Sequence, residues 1–155
     1  MRKKKKIFRP IKPDPLYNNE LVAKFINHLM ISGKKAVARK VFYKAMEIVK
    51  TKSKKDPIAV FTQAINSLAP RVEVISRRIG GAHYQIPKEV GGERKNTLAM
   101  RWLIASARKA KGKTIAERLA EEVLAASKQE GEAMKKKKEI ERIAEANRAF
   151  AHFAW

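Results

Sequence analysis

The spacing of apolar residues along this chain changes at Arg71 and changes back after residue 90. On either side of that segment, apolar residues recur every three or four positions, as they do along one face of an α-helix. Within it, Val72 and Val74 alternate with Glu73 and Ile75 as in a β-strand, and Gly80-Gly81 supplies the backbone freedom of a tight turn. This order predicts a mainly α fold with one protruding β-hairpin, residues 71–90, between the third and fourth helices.

Residues that typically begin or end helices divide the segments of helical apolar spacing into about six predicted helices. Asn18 or Asn19 is the expected N-cap of the first helix, and Asp56-Pro57 combines an N-cap with a proline at the first helical position. Thr114 and Glu117 form the capping-box pattern that opens the fifth helix. The residues predicted to face inward on the second and fourth helices are Val37, Val41, Phe42, Ala45, Ile48, Val49, Leu98, Trp102, Leu103 and Ala105.

The start of the chain differs in composition from the rest. Its first 15 residues carry seven positive charges and three prolines, a mixture that does not nucleate a packed element. We therefore expect residues 1–17 to be an extended basic arm that is disordered until it meets a partner. The whole chain, residues 1–155, is expected to form one domain, since 45% of its residues are hydrophobic.

Positive charge is concentrated in the first two thirds of the chain. Residues 1–113 contain 28 Lys and Arg against 7 Asp and Glu, whereas residues 114–155 contain 8 of each, so the net charge of +21 falls in the first part. A surplus of this size is typical of a protein that binds a polyanion, which predicts a nucleic-acid partner. The absence of an apolar run of about 20 residues argues against a membrane span. The absence of cysteine fits a reducing, cytoplasm-like compartment.

No catalytic or metal-binding pattern emerges from the residues. Gly112-Lys113-Thr114 resembles the end of a phosphate-binding loop, but the preceding segment is a predicted helix where that loop requires a strand. His28, His83 and His152 lie in three different predicted elements, with no pair at helical ligand spacing. Adjacent carboxylates such as Glu121-Glu122 lie among lysines on a solvated helix face, where pairing between side chains four residues apart is expected to explain them. We expect no enzyme activity, no cofactor and no metal.

Sequence segments in the same order along nearly the whole chain carry a more specific signal. They are Asp14-Pro15 with Tyr17, Gly33-Lys34-Lys35, Val72-Glu73-Val74, Arg77-Arg78 with Gly80-Gly81, Tyr84-Gln85-Ile86-Pro87, Leu98-Ala99-Met100-Arg101-Trp102, Ala107-Arg108-Lys109, and Ala144 to His152. Through these segments the chain resembles bacterial-type small-subunit ribosomal protein seven. The resemblance implies a helical domain with a projecting β-ribbon, in agreement with the pattern of apolar residues.

The resemblance also implies a function. Members of the family are structural constituents of the small ribosomal subunit, and they bind its ribosomal RNA early and nucleate assembly of the head. Their hairpin lies near the exit-site transfer RNA and the messenger RNA path, and small-subunit proteins nine and eleven are neighbours. The implied location is the cytoplasm, or the matrix or stroma of an organelle.

Site residues follow from the resemblance residue by residue. Ribosomal RNA contacts are expected at Lys34, Lys35, Arg94, Arg101, Arg108 and Lys109. The arm residues Arg2, Lys3, Lys4, Lys5 and Lys6 are assigned the same role by their charge. The hairpin residues expected near transfer or messenger RNA are Arg77, Arg78, Gly80, Gly81, His83 and Tyr84.

Two other functions remain open from the residues alone. A DNA-architectural protein would use the same basic charge to bend a duplex through backbone contacts, although no dimerisation face or apolar wedge is evident. An RNA-modifying enzyme would need a cofactor loop or a catalytic constellation, and neither is found. Competition between duplex DNA and structured ribosomal RNA would separate the first of these from a ribosomal role.

Overall fold

A computed structural model of the chain describes residues 10–153. In that part of the chain the helices are α1 (Glu20–Leu29), α2 (Lys35–Ser53), α3 (Pro57–Leu68), α4 (Gly92–Lys109), α5 (Ile115–Ser127), α6 (Glu132–Ala146) and a 3₁₀ helix (Arg148–Phe153). Two antiparallel strands, β1 (Val72–Ile79) and β2 (Ala82–Glu89), lie between α3 and α4. The predicted mainly α fold with one inserted hairpin is confirmed.

Local side chains explain where the helices begin. The Asn19 side chain accepts hydrogen bonds from the first backbone N–H groups of α1, and Asp56 does the same for α3 ahead of Pro57. Thr114 and Glu117 form the predicted capping box at the start of α5. Gly112-Lys113-Thr114 therefore connects two helices, and Lys113 forms an ion pair with Glu121, so the segment is not a phosphate-binding loop.

The core lies around α5, which packs against α2, α3 and α4. Phe25 of α1, Phe42 of α2 and Phe61 of α3 are fully buried in this core, with ring centroids 5.1 to 5.5 Å apart. Edge and tilted aromatic contacts of this kind add to the burial of apolar surface. The helical core thus provides a rigid support for the loops and the hairpin on its surface.

Two predicted core residues are exposed instead. Val37 is 56% exposed, and Ala105 on α4 is also exposed. On α4 the buried positions are Ala99, Met100, Leu103, Ile104 and Ala107. The inward face of α4 is therefore rotated relative to the predicted one, because α5 and α6 both pack on this helix and select its apolar stripe.

Gly80 and Gly81 form the turn of the hairpin with positive φ values of 57° and 92°. The register pairs Arg77 with Tyr84 and Arg78 with His83, so the tip lies where the glycines predicted it. One face of the hairpin packs against α6 and the 3₁₀ helix, and the contact with the 3₁₀ helix extends to Tyr84, in the third residue pair from the turn. The ribbon is consequently supported along one face, while the turn and the adjacent pair Arg78 and His83 are exposed.

A turn over residues 15–17 precedes α1. Asp14 is 3% exposed, and its carboxylate accepts hydrogen bonds from the backbone N–H groups of Leu16 and Tyr17 and from the Tyr43 hydroxyl of α2. The predicted extended arm of residues 1–17 is therefore not extended at its end, because this buried carboxylate folds the chain back on itself. Asp14 thus ties the segment just before α1 to the helical core.

Candidate nucleic-acid interface

The first predicted basic pair lies at the start of α2. Lys34 is the N-cap residue of the helix and Lys35 its first residue, and both are exposed. The loop before them contains Ser32 and Gly33 with φ values of 49° and 73°, and the Lys34 N–H donates to the Ile31 carbonyl at 3.0 Å. This compact turn fixes the backbone from which the two lysines extend into solvent.

The predicted cations of α4 lie along its exposed side. Arg101, Arg108 and Lys109 are all exposed. The Nη2 atom of Arg108 donates to the carbonyl of Leu29 at 3.0 Å, which fixes that guanidinium beside the end of α1. Arg108 and Lys34 thereby line the same surface groove, although 73 residues lie between them in the sequence. The fold brings these two predicted site residues together.

Arg94 is already engaged within the protein. Its Nη2 and Nε atoms lie 3.0 and 3.2 Å from Oε2 of Glu73 on β1, while 49% of its side chain is exposed. The ion pair joins the first turn of α4 to the base of the hairpin. Arg94 therefore helps to position the ribbon, and any contact it makes with RNA competes with Glu73.

The hairpin tip presents Arg78 and His83 to solvent as a cross-strand pair. Arg77 and Tyr84 form the next pair, are half-buried, and lie on the opposite face of the ribbon. The Tyr84 ring contacts Phe150 and Phe153 of the 3₁₀ helix, with centroid distances of 5.1 and 6.1 Å. Tyr84 is thus held within the protein, whereas Arg78 and His83 remain available to a ligand.

Arg2, Lys3, Lys4, Lys5 and Lys6, assigned to RNA contact by their charge, lie outside the described residues. The structure does show where the arm is attached, since the Asp14 turn lies beside α2. Basic residues of the same helix, Lys40 and Lys44, are exposed. Any arm contact with RNA therefore begins next to an already basic surface.

The acidic residues of α5 do not pair in the way that was predicted. Glu121 contacts Lys113 and Lys52, which belong to other parts of the chain rather than to neighbouring turns of α5. Glu122 accepts a hydrogen bond from the Ala133 N–H at the start of α6, at 2.7 Å, and burial raises the pKa of its carboxyl group. Both carboxylates therefore have structural roles.

Features of this surface that sequence reasoning missed lie between α1 and α4. Lys24 forms an ion pair with Glu93 at 2.8 Å, which links the two helices. Burial lowers the pKa of His28, and the positive charge of Arg101 lowers it further, which favours the neutral form of its imidazole.

Two exposed apolar side chains near the start of α2 were also not predicted. Ile31 and Val37 are large and lie beside Lys34. The position of Ile31, just after the end of α1, is the sequence signal that could have identified it.

Within residues 10–153, no group of three or more His, Cys, Asp or Glu residues is placed to hold a metal ion. In the same part of the chain, none of the helices is both long and apolar enough to span a membrane. The chemistry of the described surface is that of exposed cations on a rigid helical support. Such a surface can contact phosphates from several directions at once.

Comparison with known proteins gives consistent matches along the chain. The family model described as ribosomal protein S7p/S5e matches residues 1–148. The small ribosomal subunit protein uS7 of Thermosipho africanus is 51% identical over 155 residues, which is all of both chains. Proteins of the same name from Pseudothermotoga lettingae, 52% identical over all of both chains, and Gemmatimonas aurantiaca, 53% identical over 99% of each, are similar to a comparable degree.

Proposed function

The chain belongs to the ribosomal protein S7p/S5e family, and we propose that it is a structural component of the small ribosomal subunit that binds the subunit's ribosomal RNA. The observation that carries this conclusion is the match over full length to proteins named small ribosomal subunit protein uS7. The net charge of +21 supplies the affinity for a polyanion that this role requires. As in its bacterial relatives, its place is a cytoplasmic ribosome, and it acts as a structural protein rather than as an enzyme.

The protein acts as a clamp on structured RNA. RNA is recognised through its shape and its phosphates, with additional contacts to unstacked bases. Three basic surfaces extend from one helical core: the start of α2, the exposed side of α4, and the hairpin tip. Because α4 begins directly after the hairpin and is joined to it through Arg94 and Glu73, contacts on these surfaces hold RNA segments in a fixed relation.

The residues proposed to contact ribosomal RNA within the described part of the chain are Lys34, Lys35, Arg101, Arg108 and Lys109. Their exposure supports the assignment, and the anchoring of Arg108 to the Leu29 carbonyl supplies a preorganised guanidinium. Arg94 contributes mainly by positioning the ribbon. Residues Arg2 to Lys6 are proposed as further contacts on the ground of charge.

The finer assignment concerns the surroundings of the hairpin. We propose that Arg78, Gly80, Gly81 and His83 lie near the exit-site transfer RNA and the messenger RNA path, with Arg77 and Tyr84 supporting the tip from the other face. Small-subunit proteins nine and eleven are proposed neighbours, and binding to ribosomal RNA is proposed to nucleate assembly of the head. The exposed, basic tip supports the first of these assignments, and the neighbouring proteins and the role in assembly follow from the resemblance to the family.

A pair of charge-matched variants tests the RNA-binding role. The first variant replaces four residues of the proposed surface by Gln: Lys34, Lys35, Arg78 and Arg101. The second replaces four exposed lysines of the final third of the chain by Gln: Lys128, Lys135, Lys136 and Lys138. Lys137 is left intact because it donates to the Ser67 carbonyl at 2.7 Å. Both variants lose four charges, so any difference between them reports the position of the charge.

Affinity is measured by titration against a transcript of the head-domain ribosomal RNA, with duplex DNA of equal length as competitor. We expect the first variant to lose at least ten times more affinity than the second, and we expect DNA to compete poorly. Equal losses would contradict the assigned surface. Tighter binding to duplex DNA than to the transcript would favour a DNA-architectural protein and overturn the proposal.

A further inference from the structure

An apolar groove opens on the protein surface where the start of α2 meets the end of α4 and the start of α5. Its volume is about 260 Å³, and its lining is formed largely by the aliphatic side chains of Leu29, Ile31, Val37, Val41 and Ile115. Ile31 and Val37 are 61% and 56% exposed. Contiguous exposed apolar side chains on a charged surface are typical of a binding site.

The charges around the groove have one sign. Lys34 and Arg108 are the charged residues of its lining, and Arg108 is held in place by its hydrogen bond to the Leu29 carbonyl. Four other grooves on the described surface each include at least one carboxylate in their linings, for example Glu139, Glu141, Glu93 and Asp56. The groove at Val37 therefore fits a ligand that has an apolar group with negatively charged groups next to it.

The size of the groove restricts that occupant further. Pockets for drug-sized ligands have volumes of roughly 300 to 1,000 Å³, so a groove of about 260 Å³ suits a single small group and not a helix. Single-stranded RNA carries such a group at every nucleotide, a flat base with an apolar face between two phosphates. Unstacked bases are commonly bound against side chains, including the guanidinium planes of arginines.

We propose that this groove binds one unstacked nucleobase of the bound RNA. The base lies against Ile31, Val37 and Ile115, and its flanking phosphates lie at Lys34 and Arg108. The groove is open to water, so the polar edge of the base stays hydrated. This inference rests on the proposed function as an RNA-binding protein, and it adds a local conformation that the RNA must adopt.

The lack of cysteine in the chain allows a site-specific test. The variant Val37→Cys is labelled with a photoreactive azidophenacyl group, bound to the head-domain ribosomal RNA transcript and irradiated. The control is Ala59→Cys, an exposed position on α3. We expect the label at Val37 to crosslink mainly to one nucleotide, and the label at Ala59 to give no crosslink to that nucleotide.

The nucleotide identified in this way is then replaced by 2-aminopurine, whose fluorescence rises when the base leaves its stack. Binding of the unlabelled protein is expected to raise the fluorescence several-fold. Val37→Asp should abolish that rise and weaken binding about ten-fold, the effect of losing one base contact. Ala59→Asp makes the same change in charge and should leave the fluorescence rise intact and the affinity within about three-fold.

Each alternative outcome contradicts the inference. Crosslinks spread over many nucleotides, or no fluorescence change, would show that RNA binds without placing a base in the groove, while the proposed function stands. A crosslink from Val37 to another protein in assembled subunits would assign the groove to an acidic protein segment. If the chain does not bind the transcript at all, both the inference and the proposed function fail.

Discussion

Glu73 on β1 and Arg94 on α4 form an ion pair in which both Nη2 and Nε of the arginine contact Oε2 of the carboxylate, at 3.0 and 3.2 Å. The pair couples the base of the hairpin to a helix that carries the proposed RNA contacts Arg101, Arg108 and Lys109. The same ion pair engages Arg94, which the sequence assigns to contact with ribosomal RNA. The balance between these two uses of Arg94 can be measured.

Replacing Glu73 by Gln removes the ion pair and one negative charge. Since the side chain of Arg94 is half exposed, we expect the free energy of unfolding to fall by less than about 1 kcal/mol. Affinity for ribosomal RNA at low salt should rise, because Arg94 becomes available to a phosphate. Glu145→Gln on α6 makes the same change in charge and serves as the control. Weaker RNA binding by Glu73→Gln would show that positioning of the ribbon matters more.

The hydrogen bond from Tyr43 to Asp14 predicts a dependence of stability on pH. Burial raises the pKa of Tyr43, and the bond to Asp14 raises it further. Because the pKa in the folded protein exceeds that of the unfolded chain, about 10, this contribution to stability is complete below pH 10. It is lost as the pH rises through the folded-state value.

Tyr43→Phe should therefore be less stable than the parent protein by about 1 kcal/mol at pH 8, and the difference should shrink above pH 10. Urea denaturation between pH 8 and 11 measures it. Tyr17→Phe is the comparison variant, since the pKa of Tyr17 is raised mainly by burial. A difference that stays constant across this range would contradict the role given to the Tyr43 hydroxyl.

The register of the hairpin permits a clean shortening of the ribbon. Arg77 and Tyr84 are paired, so removal of residues 78–83 and closure with Asn-Gly leaves a two-residue turn suited to the twist of the strands. None of the removed residues is buried, and the contact of Tyr84 with Phe150 remains. We expect the free energy of unfolding to change by no more than about 0.5 kcal/mol.

The functional effect of this shortening is expected in assembled ribosomes, as altered retention of exit-site transfer RNA or altered maintenance of the reading frame. Thermal unfolding and a frameshift reporter measure the two effects separately. Failure of the shortened protein to fold would show that the tip supports the core. Normal ribosomes containing a folded, shortened protein would contradict the role proposed for Arg78 and His83.

Local signals made part of this structure predictable from the sequence. The turn at Gly80-Gly81, the start of α3 at Asp56-Pro57 and the capping box at Thr114 each depend on residues within a few positions of one another. The exposure of Lys34 and Lys35 follows equally from their place at the start of an amphipathic helix. For such features the nearest neighbours in the sequence supply the physical cause.

Features that depend on distant residues were not predicted. Val37 is exposed because no element within residues 10–153 covers the start of α2, and the contact between Tyr84 and Phe150 joins residues on different elements. The groove at Val37 arises only when Lys34 and Arg108 meet in the folded chain. Helical periodicity identifies an apolar stripe, but neighbouring elements decide which part of the stripe is buried.

The central claim is that this protein binds ribosomal RNA chiefly through phosphate contacts made by its surplus cations, and the salt dependence of the affinity tests it most directly. The dissociation constant for the head-domain transcript is measured over a series of salt concentrations. If about six phosphates are neutralised, the logarithm of the association constant should fall against the logarithm of salt with a slope of roughly −4 to −5. A slope near zero would contradict the account.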